Sequence, residues 1–191
     1  TNDGLDSNDV DYRFSDIYLG MAYRVKTGIF TLSPGLSFHA FGNSNTQFGN
    51  AFDDNFVKIL PKVNVLMQLK KSEQITFDYS MRTQFTDVSR LALGLVMNSY
   101  NSFFSGSVDL QNALSHNVRL SYYSFNLFNY TNVFANINYN KSVDNIRNRT
   151  NFSSVIATSS PFNSGFADES LNASGRYQRT FGKIRGSVNS N

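Results

Sequence analysis

Apolar and polar residues alternate along most of this chain, and this two-residue period limits the fold more than any other feature. From Asn117 to Tyr123, for example, Val118, Leu120 and Tyr122 fall on one face of an extended strand, and polar side chains fall on the other. Helical periodicity is nearly absent. About eight such strands can be counted, several of about 10 residues, whereas soluble strands usually have five or six. The sequence therefore predicts an all-β, antiparallel fold with long strands.

The composition of the two faces favours a transmembrane β-barrel. Only 16% of the residues are charged, against roughly 25% in ordinary soluble domains. The polar faces carry Asn, Ser, Gln and Arg but few Lys or Glu, which suits a water-filled lumen better than an open solvent face. No stretch approaches the ~18 apolar residues of a transmembrane helix. The net charge of +3 is spread along the chain, which argues against a nucleic-acid partner, and the lack of Cys excludes disulfides.

The connections between strands alternate between short turns and long polar segments. The long segments cover residues 42–55, 83–116 and 141–168. Outer-membrane barrels show this asymmetry, with short periplasmic turns and long extracellular loops. We therefore expect all three segments to be loops on the extracellular side, and residues 91–97, an apolar run, to pack inside the barrel mouth. Exposed aromatic residues in these loops are the expected ligand contacts; they are Tyr100, Phe103 and Phe104.

The strand phases place most of the charged residues of the strands on the polar face. A cation on the lipid face would cost about 2–4 kcal/mol at the bilayer midplane, which disfavours that side. The lumen-facing residues predicted in this way are Arg24, Lys62, Asp78, Arg82, Arg119, Arg176 and Arg185. We expect them to hydrogen-bond across the barrel wall or to a plug, in preference to contacting a substrate directly.

A polar loop followed by an alternating strand occupies residues 105–126, SGSVDLQNALSHNVRLSYYSFN. In Gly106, Asp109, Leu110 and residues 115–122, this stretch resembles a segment of TonB-dependent outer-membrane receptors. The upstream sequence ILPKVNVLMQLKKSEQITFDYSMRTQF is similar to a barrel hairpin of the same family. The resemblance extends over nearly the whole chain after about residue 12.

The resemblance implies energised uptake of a scarce nutrient, such as a metal chelate, a glycan or a peptide, across the outer membrane. Receptors of this family have roughly 22 strands around a plug, so we expect residues 1–191 to form one partial barrel domain without plug or signal peptide. An open sheet in lipid would leave two unpaired edges, and we expect the chain not to close a barrel by itself. With both ends of the chain on the extracellular side, the expected partners are lipid, the remaining strands and plug (from the same polypeptide or a partner chain), TonB and a surface lipoprotein.

Two other functions fit the same pattern. One is a non-transporting barrel that acts as a scaffold in an outer-membrane assembly, and the other is a soluble β-sandwich binding module. The only histidines, His39 and His116, are far apart, and no partner for either is evident. No nucleophile–base pair, phosphate-binding loop or dinucleotide motif is present. The sequence therefore predicts no catalytic residue, no metal site and no cofactor, and a protein that is not an enzyme.

Overall fold

A computed structural model of the chain describes residues 10–128, 130–181 and 184–190. Within these ranges the chain forms thirteen β-strands and one short helix. The strands are β1 (Val10–Ala22), β2 (Val25–Thr27), β3 (Phe30–Gln47), β4 (Asn50–Lys70), β5 (Glu73–Gln84), β6 (Val96–Ser99), β7 (Ser102–Phe104), β8 (Ala113–Asn126), β9 (Thr131–Val143), β10 (Ile146–Ser153), β11 (Ile156–Asn163), β12 (Asp168–Phe181) and β13 (Ile184–Ser190), and the helix is α1 (Val88–Leu91).

The long strands form one antiparallel sheet, here called the main sheet. Its order is β1-β3-β4-β5-β8-β9-β12-β13, with β2 paired to β3 beyond the end of β1. The predicted antiparallel all-β fold is therefore confirmed. Among the described strands, β1 and β13 do not pair with each other, so the sheet stays open, as we expected.

The alternation in the sequence gives the main sheet one polar and one apolar face. Directly opposed residues of an antiparallel pair point to the same side. Arg119 lies opposite Asp78 on β5, on the polar side, whereas its neighbour Leu120 lies opposite Phe77 on β5 and Ile137 on β9. Leu120 and Ile137 are 41% and 44% exposed, which indicates an apolar surface that must meet something other than water.

Residues 42–55 form the outer half of a β-hairpin and not the predicted loop. Strands β3 and β4 continue through this stretch, with Gly42 opposite Asn55. They meet at a two-residue turn, Phe48 and Gly49, in which φ is 51° and 75°; positive φ at both positions suits the twist of a hairpin. The Asn- and Ser-rich composition resembles that of a loop, but residues 42–47 pair with residues 50–55 across the hairpin.

The other two predicted loops contain a second sheet, here called the small sheet. It has the order β10-β11-β7-β6, and β7 pairs with β11 in parallel. Its strands lie within residues 83–116 and 141–168, so these segments are only partly irregular. Because β3, β5 and β9 run in the same direction, all three long connections lie at one end of the main sheet. That shared end matches the expectation, and we call it the loop end.

Residues 85–112, here called the crossing segment, fold back over the polar face of the main sheet. Phe85 follows β5 in the chain, yet its ring lies 4.6 Å from that of Phe14 on β1 and 5.1 Å from that of Phe41 on β3. Leu91 is 2% exposed, and the side chain of Gln47 on β3 is also buried. Gln47 Nε2 donates to the Leu91 carbonyl (2.9 Å), and its Oε1 accepts from the amide of residue 93 (2.8 Å). The small buried core of the chain therefore lies where this segment meets β3.

Candidate functional site: a polar cleft on the main sheet

The polar face of the main sheet holds a cleft of about 820 Å³, lined by residues of strands from β1 to β12. Hydrogen bonds between side chains on adjacent strands run across its floor. Asn64 Nδ2 donates to Asp78 Oδ1 (2.6 Å), and Arg119 Nε donates to Asn138 Oδ1 (2.9 Å). In each pair the two residues lie directly opposite each other in the register. The alternation visible in the sequence thus builds a ladder of polar groups across the sheet.

The cleft brings together four of the seven charged residues predicted to face a lumen. Lys62, Asp78, Arg82 and Arg119 all line it. Because three of these groups are cationic and one is a carboxylate, the charged lining has a positive excess, which favours anionic groups in an occupant.

Of the other three predicted residues, Arg24 and Arg176 lie outside the cleft lining. Arg24 Nε donates to Ser33 Oγ (3.4 Å), and Ser33 is itself part of the lining. Arg176 lines a separate, smaller cavity of about 340 Å³ with Tyr123 and Phe134. Arg185 lies in β13, and its side chain is outside the described residues.

The predicted loop contacts have unequal surroundings. Tyr100 lies in the turn between β6 and β7 and is 98% exposed. Phe103 and Phe104 are only partly exposed, because β7 is an inner strand of the small sheet, between β6 and β11. Phe103 and Phe104 are thus less exposed than expected, and ligand contact by these residues and Tyr100 stays a prediction.

The apolar run of residues 91–97 divides between the interior and the surface. Leu91 and Ala92, which belong to the crossing segment, are buried, whereas Leu95 and Met97 are 58% and 63% exposed. The helix α1, which ends at Leu91, is capped by Asp87, whose Oδ1 accepts from the Ser89 amide at 2.8 Å. The hydrogen bonds from the Ser89 side chain and amide hold the pKa of Asp87 below its ordinary value, since they stabilise the carboxylate.

Both histidines have partners that the sequence did not reveal. His39 Nδ1 lies 3.0 Å from Asp16 Oδ1, and its Nε2 lies 3.2 Å from Ser37 Oγ. His116 Nδ1 lies 3.0 Å from the Tyr79 hydroxyl. These side-chain partners were not recognised from the sequence, and the expectation that the chain holds no catalytic residue stays a prediction. Ser37 and His39 are two residues apart on one strand, which is a visible signal, but the position of Asp16 depends on the register between β1 and β3.

Within the described ranges, no three His, Cys, Asp or Glu side chains are grouped so that they could hold a metal ion. The only helix there, α1, has four residues, and no helix long and apolar enough to cross a membrane is found in that part of the chain.

The sequence model of the outer membrane protein beta-barrel family matches residues 5–190. The chain belongs to this family. It is therefore located in the outer membrane, and the soluble β-sandwich alternative is wrong. The long strands, the apolar face and the open edge are those of part of an outer-membrane barrel. A search of curated protein sequences finds no match.

Three solved structures share the fold of this barrel segment. The FrpB iron transporter of Neisseria meningitidis (F3-3 variant) has a TM-score of 0.64 and 13% identity, over 96% of this chain and 26% of FrpB. A double mutant of the Serratia marcescens hemophore receptor HasR, solved with its hemophore HasA and heme, has a TM-score of 0.67 and 12% identity, over 93% and 33%. The siderophore receptor PirA of Acinetobacter baumannii has a TM-score of 0.53 and 12% identity, over 94% and 36%. The chain thus spans about a quarter to a third of these proteins, which are transporters or receptors and not enzymes.

Proposed function

We propose that this chain is part of the barrel of a TonB-dependent outer-membrane transporter that takes up a metal chelate, a glycan or a peptide. The polar cleft is then a section of the lumen wall, and the apolar face contacts lipid. The three similar structures, an iron transporter, a hemophore receptor and a siderophore receptor, support this proposal by their fold.

The observation that carries the proposal is the one-sided placement of charge in the middle of the main sheet. Lys62, Asp78, Arg82 and Arg119 share the cleft. The neighbouring residues along each strand, which point to the other face, are apolar or aromatic. Val118, for example, lies opposite Tyr79 on β5. Lipid on the charged side would cost about 2–4 kcal/mol for each cation near the midplane. Water or protein must therefore cover the cleft, and lipid suits the opposite face.

Two of the cations are available to an occupant of the lumen. Among the described residues, neither Lys62 nor Arg82 has a hydrogen-bond or ion-pair partner. Carboxylates of a plug or of an anionic solute would pair with them through charge-assisted hydrogen bonds. We propose that the remaining strands and the plug are supplied by the same polypeptide or a partner chain, that TonB supplies the energy, and that Tyr100, exposed at the loop end, contacts the solute or a surface lipoprotein.

Uptake by cells that carry the complete gene tests this function. Cells with and without the gene receive a panel of ⁵⁵Fe-loaded siderophores, heme, fluorescent oligosaccharides and fluorescent peptides, before and after the proton-motive force is collapsed. We expect one class of probe to accumulate only when both the gene and the proton-motive force are present. If no probe depends on the gene, but its deletion removes another protein from the outer membrane, the barrel is a scaffold and the proposal is wrong.

A double variant of the cleft links this uptake to the site. Lys62→Gln together with Arg82→Gln removes two cations that face the cleft without removing a hydrogen bond of the wall, and we expect a several-fold loss of uptake at an unchanged level of folded protein. Lys71→Gln, in the exposed turn between β4 and β5, is the matched control and should leave uptake unchanged. Equal uptake by the double variant and the control would show that the cleft has no part in transport.

A further inference from the structure

Ser37, His39 and Asp16 form a continuous chain of contacts on the polar face of the main sheet. Ser37 and His39 are two residues apart on β3, so their side chains point to the same side. Asp16 on β1 lies opposite Phe41, the next residue of β3 on that side. The imidazole of His39 therefore lies between a carboxylate, at 3.0 and 3.1 Å from Nδ1, and a hydroxyl, at 3.2 Å from Nε2.

The ring of His39 is also stacked with two aromatic rings. The Tyr18 ring lies at a centroid distance of 5.2 Å and an interplanar angle of 17°, and the Phe41 ring lies at 5.3 Å and 19°. The side chains of His39 and Asp16 remain 17% and 29% exposed. The imidazole is thus fixed in orientation and still accessible from the lumen side, which an ordinary buried structural histidine would not be.

The carboxylate decides what the two ring nitrogens can do. Asp16 accepts a hydrogen bond, so Nδ1 carries the proton in the neutral ring, and the lone pair of Nε2 faces the Ser37 hydroxyl. This is the arrangement in which a histidine takes the proton of a serine during nucleophilic attack. The Ser37 hydroxyl also donates to the Leu60 carbonyl oxygen, at 3.3 Å. Rotation about the Cβ–Oγ bond of Ser37 turns its proton toward His39.

We propose that Ser37, His39 and Asp16 form a catalytic site that hydrolyses carboxylic esters in the barrel lumen, an activity separate from transport. Ser37 Oγ attacks the ester carbonyl carbon while its proton moves to His39 Nε2. The carbon–oxygen bond to the alcohol then breaks, and the alcohol leaves with that proton. Water attacks the acyl-serine with His39 again as base, and the carboxylic acid is released. Asp16 accepts the hydrogen bond from His39 Nδ1 and acts as the positioning residue.

The oxyanion that forms in this reaction needs positive charge nearby. Leu60 of β4 lies opposite Ser37, and Lys58 and Lys62 flank it on the same face. The chain of Lys62 lies across Gly35, two residues before Ser37, because a methyl group placed on Gly35 would meet Lys62 Cε at 2.5 Å. The Lys62 ammonium group is therefore within side-chain reach of an oxygen bound at Ser37, whereas Lys58 Nζ lies over the Phe56 ring, 5.8 Å from its centroid.

A fluorophosphonate probe tests the site in the complete protein purified in detergent, without any substitution. The probe reacts with a serine hydroxyl only when a neighbouring base activates it, and fluoride leaves as the Oγ–phosphorus bond forms. We expect covalent modification of Ser37, identified by peptide mass analysis, and hydrolysis of a p-nitrophenyl ester by the same preparation. Folded protein in which Ser37 stays unmodified and the ester is not cleaved would overturn the proposal.

Variants separate catalysis from mere accessibility. Ser37→Ala should abolish both labelling and ester cleavage, and Asp16→Asn should lower the labelling rate by about 10³–10⁴-fold and shift the pH at which labelling is half-maximal. Ser44→Ala, on the opposite face of β3, should label at the wild-type rate. Electrophoretic mobility without heating checks that each variant is folded. A wild-type rate in folded Asp16→Asn, with an unchanged pH profile, would contradict the role of Asp16.

Discussion

The main sheet and the small sheet are built from the same chain but are stabilised in different ways. The main sheet has strands of up to 21 residues, an apolar face and a polar face. The small sheet has strands of three to eight residues, and its strand β10, IRNRTNFS, is exposed over nearly its whole length. Hence the stability of the main sheet depends on what surrounds its apolar face. The small sheet is stabilised by hydrogen bonds and by a few buried residues of the crossing segment.

The largest expected difference concerns a charge on either face of the main sheet. Leu120→Arg places a cation in the middle of the apolar face and should lower the free energy of unfolding by about 2–4 kcal/mol in lipid vesicles. Ser121→Arg, the next residue along β8, places the same cation on the polar face and should cost about 1 kcal/mol, because it removes the hydrogen bond from Ser121 Oγ to Asn136 Oδ1. Denaturant titration of the complete protein measures both. Equal costs would show that the two faces do not differ in their surroundings.

The next effect is confined to the crossing segment. A side-chain carbon on Gly106 would overlap the carbonyl oxygens of Arg90 and Ala92. These are backbone atoms and cannot move aside cheaply, so Gly106→Ala should destabilise this region by about 1–3 kcal/mol. Hydrogen exchange should speed up in residues 85–112 and stay unchanged in β8 and β9.

Gly165→Ala is the control for this change, because open space surrounds that position. Faster exchange throughout the main sheet in Gly106→Ala would contradict the view that the two regions are stabilised separately.

A smaller effect is expected at the hydrogen bonds that join the two regions. Gln47→Ala removes both bonds to the crossing segment and leaves the Leu91 carbonyl unpaired in a buried place, which should cost about 1–2 kcal/mol. Gln84→Ala, an exposed glutamine at the end of β5, serves as the matched control. Protease cleavage within residues 85–112 of the folded protein should become faster only in Gln47→Ala. Unchanged cleavage would mean that the aromatic contacts of Phe85 hold the segment alone.

The smallest effect is a dependence of α1 on pH. Because the pKa of Asp87 is lower in the folded chain, its carboxylate stabilises the fold at pH values above the ordinary Asp range. That contribution is lost as the pH falls through the lowered pKa. The Ser89 amide should then exchange faster at acidic pH, after correction for the intrinsic rate. Asp87→Asn keeps a capping side chain without a titrating group and should remove this pH dependence; an identical profile in both proteins would contradict the assignment.

The same contrast explains what the sequence could predict. The faces on which Leu120 and Arg119 lie follow from alternation alone, because a period of two assigns each residue to one face of the sheet. Strand β10 shows no such alternation, so its polar residues could not be distinguished from a loop. The site at His39 was missed for another reason: Asp16 is 23 residues away, and alternation assigns a residue to a face without specifying which residue of the next strand lies opposite it.

The hairpin of β3 and β4 has a mechanical consequence. Strand β4 pairs with β5 only from Lys62 onward, so the twelve residues 50–61 are held on one side only, by β3, which pairs in turn with β1. At about 3.3 Å per residue, this arm extends about 40 Å beyond its last bond to β5. A rotation of about 5° at its base would then move its tip by about 3.5 Å, by the geometry of an arm of that length. Gln47 lies next to the tip, so its two hydrogen bonds to the crossing segment act where a small force has the greatest leverage.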